Sequence, residues 1–571
     1  MSEWWRGGVI YQIYPRSFQD SNADGVGDLP GIIERVGHVA NLGVDAIWLS
    51  PFFTSPMNDM GYDVANYKDV DPLFGSLEDF DTLAGHAHDL GLKVIIDQVL
   101  SHTSDHHSWF RESRVSRTNA RADWYVWAEA RADGTPPNNW LSVFGGSAWE
   151  WHPSRKQYYL HNFLTSQPDL NFHNPEVRAA VLDVLRFWLE RGVDGFRFDT
   201  VNFYFHDKKL RNNPALARKT QEPEVNPYEM QLQKFSKNRP ENLDFLKTVR
   251  TLLNEFDAAS VGEVGESQNA IEIMAAYSNG NQRLHMAYSF DMLGEEFSAR
   301  HFRSKIEQFN KKAPDGWPCW SFSNHDVTRH VSRWAHHAND PKQLARQTAA
   351  LLLSMGGSVS IYQGEELGLP EADILFEELT DPPGIRFWPE YKGRDGCRTP
   401  IPWDKGKAPN GFTTGDPWLP IKPAHSALNV ASQIEDPNST LAFYKEFLAF
   451  RRLSAALMGG NIKFYDTSEP VLAFERRQHT NGNEQDNEGD NDKTLICLFN
   501  LSKQKLVIEL DGLSGARLAP VSRAAHLSAQ QLQLDANGFA LIFPGKTNSR
   551  EISLHYKKPA RSNKKSKKPA L

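Results

Sequence analysis

Short apolar runs along this chain alternate with stretches whose hydrophobic positions recur at helical spacing. Residues 9–18 read as a first strand, and Ile32, Ile33, Val36 and Val39 mark the helix that follows. A second strand at 45–50, a helix over 77–90 and a third strand at 93–97 repeat the pattern. In 177–191, Val181, Val184, Leu185 and Trp188 share one helical side, and 193–198 alternates as a strand should. Further strands fall at 260–264, 289–293, 320–326 and 358–362. Eight strands separated by helical patterns predict an α/β fold, a (β/α)8 TIM barrel. Positions two apart on a strand share a face, so Arg197 and Asp199 point the same way. Asp199 would then stand at the C-terminal mouth of the barrel, where carboxylates are usually catalytic.

Three segments break the alternation. Residues 104–171, rich in Trp, Gly, Pro and Asn, are too long for a βα loop and predict an inserted subdomain over the mouth. The barrel would therefore be built from 1–103 and 172–470, with a Pro- and Gly-dense excursion at 365–437 after the eighth strand. From 471 the pattern turns to short alternating strands, at 494–499, 505–510 and 540–543, which predict a C-terminal β-sandwich over 471–548. Within it, 478–492 reads as a polar, acidic hairpin loop, and 557–571 as a disordered basic tail.

A net charge of −8 argues against a nucleic-acid partner, the more so because seven Lys/Arg and no acid follow Tyr556. Cys319, Cys397 and Cys497 are few, scattered and odd in number, which suits a reducing compartment. No signal peptide and no apolar run of membrane-spanning length are read, so a cytoplasmic monomer or small homo-oligomer without a membrane partner is expected.

Two more acids share the placement of Asp199. Glu263 closes the fifth strand in Val261-Gly-Glu-Val264, and Asp326 ends the seventh in Phe322-Ser-Asn-His-Asp326. Clustered carboxylates raise one another's pKa, a cost that glycosidic bond cleavage turns to use. One carboxylate attacks, and a protonated one serves as general acid and then as base. His102 and His325, at strand ends beside these acids, are candidate donors to sugar hydroxyls, and Arg197 would keep Asp199 ionised. Separately, Asp20, Asn22, Asp24 and Asp28 space oxygen ligands around Gly25 as a calcium loop begins. The twelfth position is Gly31, not Glu, and a strand precedes it, so it is not an EF-hand.

These segments resemble the signature regions of the α-amylase superfamily of glycoside hydrolases, in its oligo-1,6-glucosidase and α-glucosidase branch. Gly61-Tyr-Asp-Val64, Asn138-Asn-Trp140, Phe144-Gly-Gly146, Gln167-Pro-Asp-Leu-Asn171 and Gly393-Arg-Asp-Gly-Cys-Arg-Thr-Pro400 extend the likeness over about 5–543. The resemblance implies Asp199 as nucleophile, Glu263 as acid/base and Asp326 as transition-state stabiliser, with Glu266 a near neighbour that the Gly-Glu dipeptide passes over. It further implies that Tyr62 stacks on the nonreducing-end glucose and that Asp63 and Arg398 pair to grip it. Phe144 and Phe163 would wall the pocket, and a pocket closed beyond one sugar would make the enzyme exo-acting. Thr200 after the nucleophile resembles the α-1,4 rather than the α-1,6 choice, so maltose, and also sucrose, are the expected substrates, with sugars or alcohols as acceptors. The loop after the first strand resembles the branch's cation site, with the Val26 carbonyl added to Asp20, Asn22, Asp24 and Asp28. Calcium rather than magnesium is expected there, and no organic cofactor. The chain departs from the family pattern at 206–238, a polar loop that would shape the acceptor side. Sucrose isomerases share the fold but carry an Arg-Leu-Asp-Arg-Asp stretch that is absent here, and the amylase-like transporter subunits have a membrane anchor.

Overall fold

The computed structural model describes residues 3–217, 222–478, 493–547 and 553–556. The predicted loop beyond Gln478 and the basic tail lie outside these described residues. Eight parallel strands form the central sheet: β1 (Val9–Ile13), β2 (Ala46–Leu49), β3 (Lys93–Gln98), β4 (Gly195–Phe198), β5 (Ala259–Val264), β6 (Met286–Ser289), β7 (Cys319–Trp320) and β8 (Ser358–Tyr362). Their order around the sheet is β6-β5-β4-β3-β2-β1-β8-β7. A parallel bridge between Ala287 and Pro318 joins β6 to β7, so the sheet closes on itself as a barrel.

Alternation along each strand sorts the side chains into two cores. Ile10, Trp48, Ile95, Val261, Met286 and Tyr288 pack together inside the barrel, while Tyr11, Ile47, Ile96, Phe196 and Phe198 join the larger core outside it. The outer core is covered by helices that follow the strands in turn, among them α1 (Leu29–Ala40), α2 (Leu77–Asp89) and α3 (Pro175–Glu190). Trp188 of α3 shows why the helical face was legible: it is fully buried against Phe52, Phe53 and Phe80, and its indole N–H donates to the Tyr67 carbonyl at 2.7 Å. Asn174 caps the start of that helix by accepting from the Glu176 N–H, with Pro175 at its first position.

Three barrel-strand expectations need correction. The first strand is Val9–Ile13 rather than 9–18, and Pro15–Ser17 forms a 3-10 turn. The sixth strand is Met286–Ser289, not 289–293; the residues that follow it, Phe290–Met292, form a 3-10 turn. The seventh is Cys319–Trp320 alone, so Asp326 stands six residues beyond it in irregular backbone rather than at a strand end.

Within 104–171 a short helix, Ser108–Ser113, precedes a three-stranded antiparallel sheet of Trp127–Ala128, Gln157–Leu160 and Trp149–His152, with Gln157–Leu160 in the middle. This segment is tied to the loop after β4. Asn139 exchanges two hydrogen bonds with Asn213, at 2.8 and 2.9 Å, and the Trp140 indole donates to the Arg211 carbonyl at 2.8 Å. Asn226 donates to the Val143 carbonyl at 2.7 Å and Gln231 to the Asn139 carbonyl at 2.7 Å. The C-terminal strands form an antiparallel sheet around the long strand Gln531–Phe543. One face, with Leu472, Phe474, Cys497, Phe499 and Phe539, joins the core around the barrel; the other, with Val471, Ile496, Leu498 and Ile508, makes a core of its own.

Candidate active site

Arg197 is the hub of the mouth. It is fully buried on β4, stacks 5.0 Å from the Trp48 ring, and reaches three carboxylates. Its Nη1 donates to Asp97 Oδ1 at 2.8 Å and to Asp199 Oδ1 at 2.7 Å, and its Nη2 donates to Glu263 Oε2 at 2.5 Å. Parallel register explains the convergence: Asp97 on β3 lies beside Arg197, and Val261, two before Glu263 on β5, lies on its other side. A buried cation with three carboxylate neighbours cannot neutralise them all, and the excess negative charge must be met by protons or other cations.

The three acids of the mouth meet this demand differently. Burial, seconded by the charges of Asp199 and Asp326, pushes Glu263 well above the usual carboxylate range despite Arg197 and the Thr200 N–H. Burial opposes ionisation of Asp326 too, but His325, Arg394 and Arg398 beside it hold its carboxyl below that range. Asp97, which sequence reasoning placed only as a strand end, is raised by burial to about 7. An acid kept protonated beside one kept ionised is the division of labour that glycoside cleavage requires.

Thr200 links two of these acids. Its backbone is left-handed, with φ 42° and ψ 43°, a conformation that a β-branched residue adopts at a cost of about 1–2 kcal/mol. The conformation aims its N–H at Glu263 Oε2, 3.1 Å away, and its hydroxyl lies 3.2 Å from Asp199 Oδ2. An intramolecular hydrogen bond contributes about 0.5–1.5 kcal/mol, which offsets part of that strain.

His325 is held between the rings of Tyr14 and Tyr62, at 5.7 and 5.2 Å. The Gln12 amide reaches its Nδ1 at 2.7 Å, which leaves the proton on Nε2, facing the Tyr62 hydroxyl at 2.5 Å and Asp326 Oδ2 at 3.3 Å. The Tyr62 hydroxyl in turn donates to Asp97 Oδ2 at 3.0 Å.

A cavity of about 470 Å³ opens over these groups. Tyr62, His102, Phe144, Phe163, Asp199, Thr200, Glu263 and Asp326 line it. Phe144 and Phe163 meet edge to face at 5.5 Å. Arg197 and His325 lie behind this wall rather than on it.

The expected Asp63–Arg398 grip does not form. Asp63 is fully buried and accepts from the Asn58 and Asp59 N–H groups and the Ser55 hydroxyl, each at 3.0 Å, so it shapes its own turn. Arg398 is also fully buried, donating to the His325 carbonyl at 2.7 Å and to Asp326 Oδ1 at 3.1 Å. The pair that reaches the cavity is Asp59 with Arg394, 2.8 Å apart, and Arg394 also donates to Asp326 Oδ1 at 3.1 Å. Arg394 sits inside the 393–400 motif, four before Arg398, whereas Asp59 lies just ahead of the 61–64 motif, three before Tyr62.

The outer part of the cavity is lined by the loop after β4, with Tyr228, Glu229, Gln231, Gln233 and Lys237, and by Glu266 beyond β5. Glu266 is not poised as an acid: it accepts from the Ser267 and Gln268 N–H groups and from Asn238, and Lys237 lies 3.6 Å away.

The 20–28 loop is closed by its own amides. Asp20 accepts from Asn22, Ala23 and Gly25, Asn22 from Asp24, and Asp24 from Val26, all at 2.8–2.9 Å. Asp28 accepts from the Gly31 N–H and from Ser21, and so caps α1. Among the described residues, no group of three or more His, Cys, Asp or Glu side chains is placed to hold a metal ion.

The alpha-amylase catalytic domain matches residues 12–460. The chain belongs to the alpha-amylase family. Its family relatives include a probable alpha-glucosidase of Rhizobium meliloti, 57% identical over 514 residues, which span 89% of this chain and 91% of the relative. An oligo-1,6-glucosidase of Heyndrickxia coagulans is 36% identical over 514 residues, 84% of this chain and 90% of the relative. Among solved structures, the alpha-glucosyl transfer enzyme XgtA superposes with a TM-score of 0.90 at 51% identity, covering 95% of this chain and 99% of that one. This alpha-amylase family member is thus a glycoside hydrolase of the glucosidase group. Among its described residues no helix is long and apolar enough to cross a membrane.

Proposed function

We propose that the protein is a retaining, exo-acting α-glucosidase that prefers short α-1,4-linked substrates such as maltose, also takes sucrose, and transfers glucose to sugar or alcohol acceptors. The observation that carries the reading is the shared guanidinium: Asp199 and Glu263 are held by adjacent nitrogens of Arg197. That spacing suits direct attack, whereas inverting enzymes set their carboxyls about 6.5–9.5 Å apart to admit a water. Asp199 attacks the anomeric carbon as Glu263 gives its proton to the leaving oxygen. Water or an acceptor hydroxyl then resolves the glucosyl-enzyme, with Glu263 as base. Asp326, held ionised between Arg394 and Arg398, faces the developing positive charge.

The exo-action is supported by the Asp59–Arg394 pair, 2.8 Å apart on the cavity wall, which would close the inner end beyond one sugar. Transfer is supported by the polar loop wall at the outer end, and by the likeness to a glucosyl transfer enzyme. We further propose one structural divalent cation, calcium rather than magnesium, on the 20–28 loop. Its support is the run of oxygen-bearing side chains at 20, 22 and 24, each accepting an amide of the loop.

Glucose release from maltose, isomaltose and sucrose, with Asp199→Asn as control, tests the reading. Maltose well above isomaltose, with α-glucose as the first-formed anomer, is the expected result. Isomaltose ahead would overturn the linkage, β-glucose first would overturn retention, and no turnover would overturn the glucosidase.

A further inference from the structure

Asp199 has one oxygen occupied and one available. Oδ1 accepts from Arg197 at 2.7 Å, so Oδ2 is the oxygen left to attack, and it faces the Thr200 hydroxyl at 3.2 Å. That hydroxyl has a second neighbour, Ser101 Oγ, at 2.9 Å, and Ser101 Oγ lies 2.9 Å from His102 Nδ1. One hydroxyl proton cannot serve two acceptors, so the direction of the chain decides whether Oδ2 receives a hydrogen bond.

The far end of the chain sets that direction. Burial lowers His102 to about 4, which leaves it neutral with a single ring proton. Its Nε2 lies 3.1 Å from the Tyr62 carbonyl, a group that can only accept. With the proton on Nε2, Nδ1 accepts from Ser101, and the Ser101 oxygen accepts from Thr200. The opposite arrangement has a sponsor as well: the Gln167 amide, 3.2 Å from Nε2, would favour the other tautomer and send every donor towards Asp199. The Tyr62 carbonyl, at 3.1 Å, is nearer to Nε2 than the Gln167 amide, which already donates to Asp59 Oδ2 at 3.1 Å, and this favours the first.

We propose that Ser101 is a positioning residue that draws the Thr200 hydroxyl proton away from the attacking oxygen of Asp199. The inference rests on the reading of Asp199 as nucleophile. A donor on Oδ2 would stabilise the anion and blunt its attack; without one, Oδ2 bonds to the anomeric carbon as the bond to the leaving oxygen breaks, and that oxygen takes the Glu263 proton.

The test uses a fluorinated glucosyl fluoride, which traps the covalent intermediate, with the label located by mass spectrometry. A wild-type enzyme that carries no label on Asp199 overturns the underlying reading, whatever the variants do. With Asp199 labelled, the trapping rate is followed against pH in Ser101→Ala, Thr200→Val and the double variant. Ser101→Ala frees the Thr200 hydroxyl for Oδ2, so trapping slows about tenfold and its acid limb moves to lower pH. Adding Thr200→Val removes that hydroxyl and restores the rate of Thr200→Val alone. Ser101→Thr, which keeps a hydroxyl, retains the wild-type limb. If Ser101→Ala does not fold, Ser101→Cys, a weaker donor and acceptor, gives the same comparison. An acid limb that stays put or moves up in Ser101→Ala, or losses that multiply in the double variant, overturns the proposal.

Discussion

Arg394 Nη2 lies 2.8 Å from Asp59 Oδ1, joining the loop after β2 to the excursion after β8. The same guanidinium donates to Asp326 and Asp381, so its place is fixed from three sides. Asp63, four residues on from Asp59, is committed to backbone amides instead.

These neighbouring aspartates should therefore separate in experiment. Asp59→Ala removes a charged partner from the sugar end and is expected to raise KM for disaccharides by about 10- to 100-fold. Asp63→Ala should leave KM near the wild-type value while lowering stability by about 2 kcal/mol, because it orphans the buried Asp59 N–H and the partly buried Asn58 N–H. Steady-state kinetics and urea unfolding of the two variants check both statements.

The raised pKa of Glu263 predicts the alkaline side of the pH profile. The acid must be protonated to serve the leaving oxygen, so kcat/KM for maltose should fall as pH rises through the Glu263 pKa in the free enzyme. Glu263→Gln should lose about 10³-fold with maltose, and much less with a fluoride leaving group that needs no proton. The alkaline limb should vanish from what activity remains.

The cation proposed for the 20–28 loop should stabilise the fold without taking part in catalysis. Chelation should lower the melting temperature and calcium should restore it, while kcat well below that temperature stays unchanged. In Asp24→Ala the melting temperature should no longer respond to calcium.

The barrel was readable because burial on both sides of a parallel strand leaves an apolar run, and the following helix declares itself by its period. The errors fell where that signal is ambiguous. Met286 to Leu293 is nearly continuous in apolar residues, so nothing in the pattern says where the strand stops and the 3-10 turn starts. At the site, strand periodicity fixed the direction of Arg197 on β4 and Glu263 on β5. Asp59 and Asp63 flank Tyr62 in a loop, where spacing does not reveal which carboxylate turns to the cavity and which turns to its own backbone. The hydroxyl of Ser101 carried no signal at all, since its meaning depends on Thr200, 99 residues away.

The side chain–backbone bonds that fasten 139–143 to 211–231 make the wall of the acceptor end a composite of two distant stretches of chain. Each stretch presents amides and carbonyls cut to the other's shape. Transplanting the loop after β4 from a relative would leave Asn139 and Trp140 without their partners, so any graft meant to change acceptor choice has to carry both pieces together.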